Sequence, residues 1–265
     1  MTAGGKVLRY VGSDYGFDAA ATFYAYRPDY PKAFYEELRG RLGHLESGRV
    51  FDLGCGDARV AVHMADWGPE VLAIDLSERM LIAAARRVRG LRNPGVHFLR
   101  GDATRLPSPA GVIDAVLIGQ AFHWMRKELV AREVARVLQP RGLWVVFWAQ
   151  PVKPLPLSVR VSDAVIAEIV PNYDPDAAHD LTSKSGIPAR FGFQVRTWAA
   201  EFAHNYRLED YVNMVASKSY VATALSGERV PEFRTRLRQR LMQDFRSTII
   251  EERYLLTVYF AEREG

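Results

Sequence analysis

Residues 49–59 read Arg-Val-Phe-Asp-Leu-Gly-Cys-Gly-Asp-Ala-Arg. A short apolar strand ends at Asp52. A turn with Gly54 and Gly56 on either side of Cys55 follows, and a helix opens near Asp57. The next apolar strand closes on a second acid, Asp75, 19 residues after Gly56. Glycines let a backbone pass close to a ligand where a Cβ would clash. A helix start aims free N–H groups at the same place. This is how an α/β protein holds an adenosine-containing cofactor.

Working outward, strand and helix signals alternate. Continuous apolar runs predict strands at 49–53, 70–75, 95–99, 112–118 and 142–149, as expected for strands covered on both faces by helices. Helices are predicted at 57–67, 77–89 and 126–138, with Ser77 as an N-cap, Gly90 as a stop and Pro140-Arg141-Gly142 as the turn into the fifth strand. Pro31 fits the first turn of a helix to about Leu42. After Gln150 the rhythm breaks. Pro151, Pro154 and Pro156 mark a connection to a helix at 157–170 and a loop at 171–190. A strand near 196–203, two or three helices over 207–247 and a last strand at 251–262 complete the chain. The expected architecture is α/β: a doubly wound, mostly parallel, seven-stranded sheet with a helical cap and its ligand at the carboxyl ends of the strands. Residues 1–30 read as an N-terminal lid, 31–150 as the cofactor-binding core, and 151–265 as the cap with the final antiparallel strands.

The bulk figures narrow the function. Thirty-five Lys and Arg against 31 Asp and Glu give a net charge of +4, too weak for a nucleic-acid surface. The apolar run Leu143–Ala149 is far too short to span a bilayer, and the N-terminus lacks a signal-peptide pattern. Cys55 is the single cysteine, which rules out an internal disulfide and suits a reducing, cytoplasmic setting. The six histidines show no metal-ligand spacing, so no metal site is expected.

A dinucleotide site wants Gly-x-Gly-x-x-Gly. Here Arg59 holds the third position, which argues against a pyrophosphate and for a smaller anionic end, such as the methionine part of S-adenosylmethionine. Asp75 is placed to accept ribose hydroxyls. Leu76 follows it, and Met80, one turn into the next helix, serves either as an adenine contact or as plain core. Gly101-Asp102-Ala103 after the third strand is placed to meet an adenine. The fourth strand ends in Gln120-Ala121-Phe122-His123-Trp124. His123 is either a base for an acceptor or a structural histidine, and Phe122 and Trp124 are candidate pocket walls. The basic run 234–240 reads as an attractor of acidic acceptors or as a solvated helix face. Ser217, Ser219 and Tyr220 are candidates for an acceptor pocket.

These motifs, with Arg27-Pro28-Asp29-Tyr30-Pro31 and Thr257-Val258-Tyr259-Phe260-Ala261, resemble the class I S-adenosylmethionine-dependent methyltransferases. More narrowly, the chain is similar to the methyltransferase type 11 group that includes the trans-aconitate methyltransferase-like enzymes. The resemblance covers about 20–150; residues 151–250 match only in outline. It implies a Rossmann-like methyltransferase fold in which Gly54 and Gly56 frame the methionine end, Asp75 holds the ribose, and Asp102 and Ala103 meet the adenine. It implies that Arg27, with Tyr24 or Tyr26, meets the cofactor's carboxylate or sulfonium. The expected activity is methyl transfer to a small-molecule O, N or C nucleophile by in-line displacement, leaving S-adenosylhomocysteine, with Tyr24 as the substitute base for His123. Two alternatives stand beside it: a fold relative that binds the cofactor without transferring methyl, and a nucleotide-dependent oxidoreductase. No nucleic-acid or membrane partner is expected.

Overall fold

The computed structural model describes residues 17–42, 45, 47–89, 95–170, 173–175, 187–225, 229–245 and 247–263. The start of the expected lid, the helix stop at Gly90 and most of the expected loop at 171–190 lie outside these residues.

The apolar runs form the strands they predict: β1 (Arg49–Leu53), β2 (Glu70–Asp75), β3 (Val96–Arg100), β4 (Ile113–Gly119), β5 (Leu138–Pro151), β6 (Phe193–Arg207) and β7 (Ile249–Arg263). They build one seven-stranded sheet in the order β3-β2-β1-β4-β5-β7-β6. β1 to β5 are parallel, and β7 runs antiparallel between β5 and β6. Strand side chains alternate between faces, so the unbroken runs require two cores. In β4, Ala115 and Leu117 enter one core, under α2 (Lys32–Leu42), α3 (Arg59–Ala65) and α4 (Glu78–Val88); Val116 and Ile118 enter the other, under α5 (Lys127–Val137).

Several boundaries move. α3 starts at Arg59 rather than Asp57, because Ala58 takes a left-handed conformation, φ 58°. β5 starts directly after α5: pairing jumps from Ile113–Leu138 to Ala115–Leu143, so the expected turn at 140–142 is an irregularity within the strand, with Arg141 at φ 63°. β6 and β7 are longer than predicted and pair from Phe193–Arg263 to Arg207–Ile249. This ribbon carries a third apolar cluster. There Tyr206, Ile250 and Tyr254 pack with α6 (Leu157–Ile169), α7 (Leu208–Ala216) and α9 (Arg229–Asp244). These helices, with α8 (Ser219–Ala224), form the cap. α1 (Phe17–Ala20) and the 3₁₀ turn Ala21–Tyr26 lie between cap and sheet, where Ala20 packs with Met80 of α4 and Ala222 of α8.

Candidate active site

A cleft of about 750 Å³, counted with its open mouth, lies at the carboxyl ends of β1 to β4. Gly54 and Gly56 form its floor, at φ 66° and 55°. A Cβ on Gly54 would fall 2.6 Å from the Ala121 Cβ, and one on Gly56 would fall 3.1 Å from the Tyr24 ring. The clearance that the sequence predicts for a ligand is therefore shared with the protein's own Tyr24 and Ala121.

Asp75 reaches the cleft from the end of β2. Its Oδ2 accepts the Gly56 N–H and its Oδ1 accepts the Ser77 N–H, both at 2.9 Å. Burial raises its pKa against the pull of these bonds. The Leu76 N–H also bonds the carboxylate, so of a carboxylate's about four acceptor positions about one remains for a further donor. Leu76 and Met80 line the same wall. Met80 is also buried in the core beside Ala20, so it packs in the core and lines the cleft at once.

After β3, Gly101, Asp102, Ala103 and Thr104 line the opposite side. Asp102 accepts the Thr104 N–H at 2.8 Å and pairs with Arg126 at 3.0 Å. Beyond β4, Gly119, Gln120, Ala121, Trp124 and Met125 complete the wall. Gln120 adopts φ 54° and donates to the Ala149 carbonyl at 2.8 Å. Trp124 meets Phe17 edge-to-face at 5.8 Å.

Four expected site residues are not among those lining the cleft: Arg27, Asp52, Cys55 and His123. Asp52 lies buried inside β1, one residue before its end, and accepts the Ala61 N–H of α3. The helix start thus takes a carboxylate from the chain itself. Burial and the neighbouring Asp75 push Asp52 up to about 7. Cys55 is buried, and its thiol is raised well above its usual value, chiefly by burial. The His123 ring sits in a 3₁₀ turn, 5.0 Å from Trp124. Of the two candidate bases, only Tyr24 faces the cleft. Burial raises its phenol, while Arg27 and Arg59 pull the other way. Tyr24 therefore keeps its proton at neutral pH.

Further candidates lie away from this cleft. Phe122 is fully buried edge-to-face on Trp144 and belongs to the core, not the wall. Ser217 is buried and holds Arg27, and Tyr220 stacks on Tyr173; neither they nor Ser219 line the cleft. In the basic run, Arg236 pairs with Glu168 and Glu232 and Arg238 with Glu209, all on exposed positions, as on a solvated face.

Sequence reasoning missed Phe17, Thr104, Met125 and Arg126, which lie in segments without a recognisable spacing. It also did not foresee the partners of Arg59. That side chain, 8% exposed, clasps Asp57 through Nε and Nη2 at 3.0 Å. It also donates to the backbone carbonyls of Tyr24, Arg27 and Pro28. Its signal was present in the buried-helix position it occupies, but a lone Arg after a glycine turn does not announce a backbone partner 30 residues upstream.

Among the described residues, no helix is long and apolar enough to cross a membrane, and no group of three His, Cys, Asp or Glu is placed to hold a metal.

A family profile described as a methyltransferase domain matches residues 51–146, the segment that supplies most of the cleft. Over residues 51–146 the chain is thus similar to the methyltransferase domain. An uncharacterized methyltransferase of Mycobacterium tuberculosis is 29% identical over 198 residues, 75% of this chain and 74% of that one. Among solved structures, one described as a methyltransferase from an antibiotic biosynthesis pathway of Anabaena variabilis superposes with a TM-score of 0.60 at 18% identity, over 87% of this chain and 97% of the other. A phosphoethanolamine N-methyltransferase of Haemonchus contortus, solved with phosphomonomethylethanolamine and S-adenosylhomocysteine, gives 0.55 at 16% identity, over 97% and 61%. These likenesses establish the methyltransferase fold, in which the cleft lies at the strand ends of the matched domain.

Proposed function

We propose that the cleft binds S-adenosylmethionine and that the chain transfers its methyl group to a small-molecule nucleophile. The observation that carries this reading is the convergence of Gly54, Gly56, Asp75 and Asp102 on one cleft within the methyltransferase domain. The donor set fits the group. Asp75 keeps acceptor capacity for a ribose hydroxyl, Asp102 and the Ala103 backbone suit an adenine, and Met80 suits its face. Gly54 and Gly56 leave the loop bare for the amino-acid end. The cofactor supplies an activated methyl on a sulfonium.

The chain's own residues orient and exclude water. Phe17, Tyr24 and Trp124 make an aromatic wall, whose faces favour a cationic sulfur. The Tyr24 hydroxyl, holding its proton, donates a hydrogen bond into the cleft. Gln120, tied to the Ala149 carbonyl, fixes the β4 side. Holding reacting atoms in register accounts for much of a transfer that needs little proton movement.

Calorimetric titration tests this with S-adenosylmethionine, S-adenosylhomocysteine and NADH, on the wild type and on Asp75→Asn, which keeps one carbonyl acceptor for the loop. Expected is micromolar binding of both adenosyl ligands and none of NADH. The substitution is expected to weaken adenosyl binding by roughly 10- to 100-fold, the range for losing hydrogen bonds to a charged acceptor. Binding of NADH, or of nothing, overturns the reading.

A further inference from the structure

Residues 24–28 form a strap with two anchors. On the sheet side, Arg59 holds it by three backbone carbonyls, those of Tyr24, Arg27 and Pro28. Arg59 is itself fixed by Asp57, which a second guanidinium, that of Arg87, also pairs. Asp57 follows Gly56 in the loop that leads into α3, which Arg59 opens, and the Tyr24 ring lies against Gly56. On the cap side, the Arg27 side chain crosses to the turn after α7. Its Nε donates to the Ser217 Oγ at 2.7 Å and its Nη2 to the Ser217 carbonyl at 3.0 Å. The Ser217 hydroxyl in turn donates a hydrogen bond to the Met214 carbonyl at 2.6 Å, so the tether enters the last turn of α7. Ser217 is 1% exposed.

Both arginines therefore work on parts of the chain rather than on the cleft they flank. Between them sits Tyr24, the strap's only side chain among the cleft-lining residues, with the two guanidinium carbons at 5.6 and 5.7 Å from its ring. A ligand that packs on Tyr24 and the glycine loop restrains both ends of the strap. A restraint at the Arg27 end reaches Ser217 through two bonds of fixed geometry.

We propose that Arg59 and Arg27 are positioning residues that make the Tyr24–Pro28 strap a link between the glycine loop and the cap, so that filling the cleft orders the Ser217 end of α7. The inference deepens the cofactor reading above and rests on it. It also assigns Arg27 a partner in the cap in place of the cofactor carboxylate.

Hydrogen exchange of the full chain, with and without saturating S-adenosylhomocysteine, tests the link. In the wild type, the ligand is expected to slow exchange at residues 54–58, at the strap and at residues 212–218, the last by about fivefold or more, the lower range of coupling between sites. In Arg27→Ala, slowing at 54–58 is expected to persist while that at 212–218 falls below about twofold. Ser217→Ala, which removes only the hydroxyl prong, is the milder second variant and is expected to give an intermediate loss. Arg59→Lys replaces a planar fork by a point charge and cannot span Asp57 and three carbonyls. It is expected to bind the ligand about tenfold more weakly and to lose slowing at strap and cap together. A merely structural role would lower the stability of these variants but leave the ligand-induced slowing at 212–218 intact, and that result overturns the proposal. So does a wild type that binds S-adenosylhomocysteine in calorimetry with no change at 212–218. Absence of calorimetric binding to the wild type sinks the cofactor reading itself, and the link with it.

Discussion

Gly54 shows how tightly single residues are set. Its backbone is left-handed and its Cα hydrogen faces Ala121. Gly54→Ala meets two penalties, a non-glycine side chain at positive φ and a Cβ 2.6 Å from another Cβ. Each is worth about 1–2 kcal/mol, so a loss of about 2–4 kcal/mol in urea unfolding is expected. Adding Ala121→Gly removes only the contact and is expected to restore about half. Asp52 sets a pH dependence. Its carboxyl titrates near 3.8 when exposed and near 7 in the fold. Between these values the native state binds more protons than the unfolded state, so stability present at low pH is lost as pH rises through that window. Asp52→Asn keeps an acceptor for the Ala61 N–H and is expected to flatten the fall of the urea midpoint with rising pH across it. An unchanged slope would show that another group, such as Asp75, carries the effect. Asp75 and the two glycines were legible in the sequence because a strand end and a turn fix where they point. Arg59 and Arg27 were not, because their partners are backbone groups and a serine distant in sequence.

At the scale of elements, the apolar runs and Ser77 carried most of the information. α4 begins where expected: the Ser77 Oγ accepts the Met80 N–H at 3.1 Å. The same hydroxyl donates to Asp18 of α1, a contact no spacing foretold. Ser77→Ala is expected to lower the unfolding free energy by about 1 kcal/mol, the usual worth of an N-cap, with the melting temperature falling by about 2–4 °C. Since Asp75 meets the Ser77 backbone N–H and not its hydroxyl, affinity for S-adenosylhomocysteine is expected to change less than the stability does. A large loss of affinity would show that the docking of α1 on α4 shapes the cleft. Element ends were harder to read. Ala58 and Arg141 adopt positive φ without being glycine, so composition gave no warning of the late start of α3 or the early start of β5.

Across the whole molecule, two packing regimes meet on one ribbon. The parallel strands bury two faces, and their unbroken apolar runs made that part predictable. The cap has its own cluster, joined to the sheet through the far ends of β6 and β7. Its helices were legible as helices, but their placement depends on a 15-residue pairing whose length lies in tertiary contacts. Leu237 of α9 is fully buried in that cluster. Leu237→Ala leaves a cavity and is expected to cost about 2–5 kcal/mol. Because its contacts lie in the cap cluster, the loss is expected to fall locally, as proteins open in contiguous units of unequal stability. Amides of α6, α7 and α9 should exchange faster while those of β1 to β4 keep their rates. Equal acceleration in both would show that cap and sheet unfold as one unit. In that case the β6–β7 ribbon transmits order along its whole length, and the strap is one of two routes between cleft and cap.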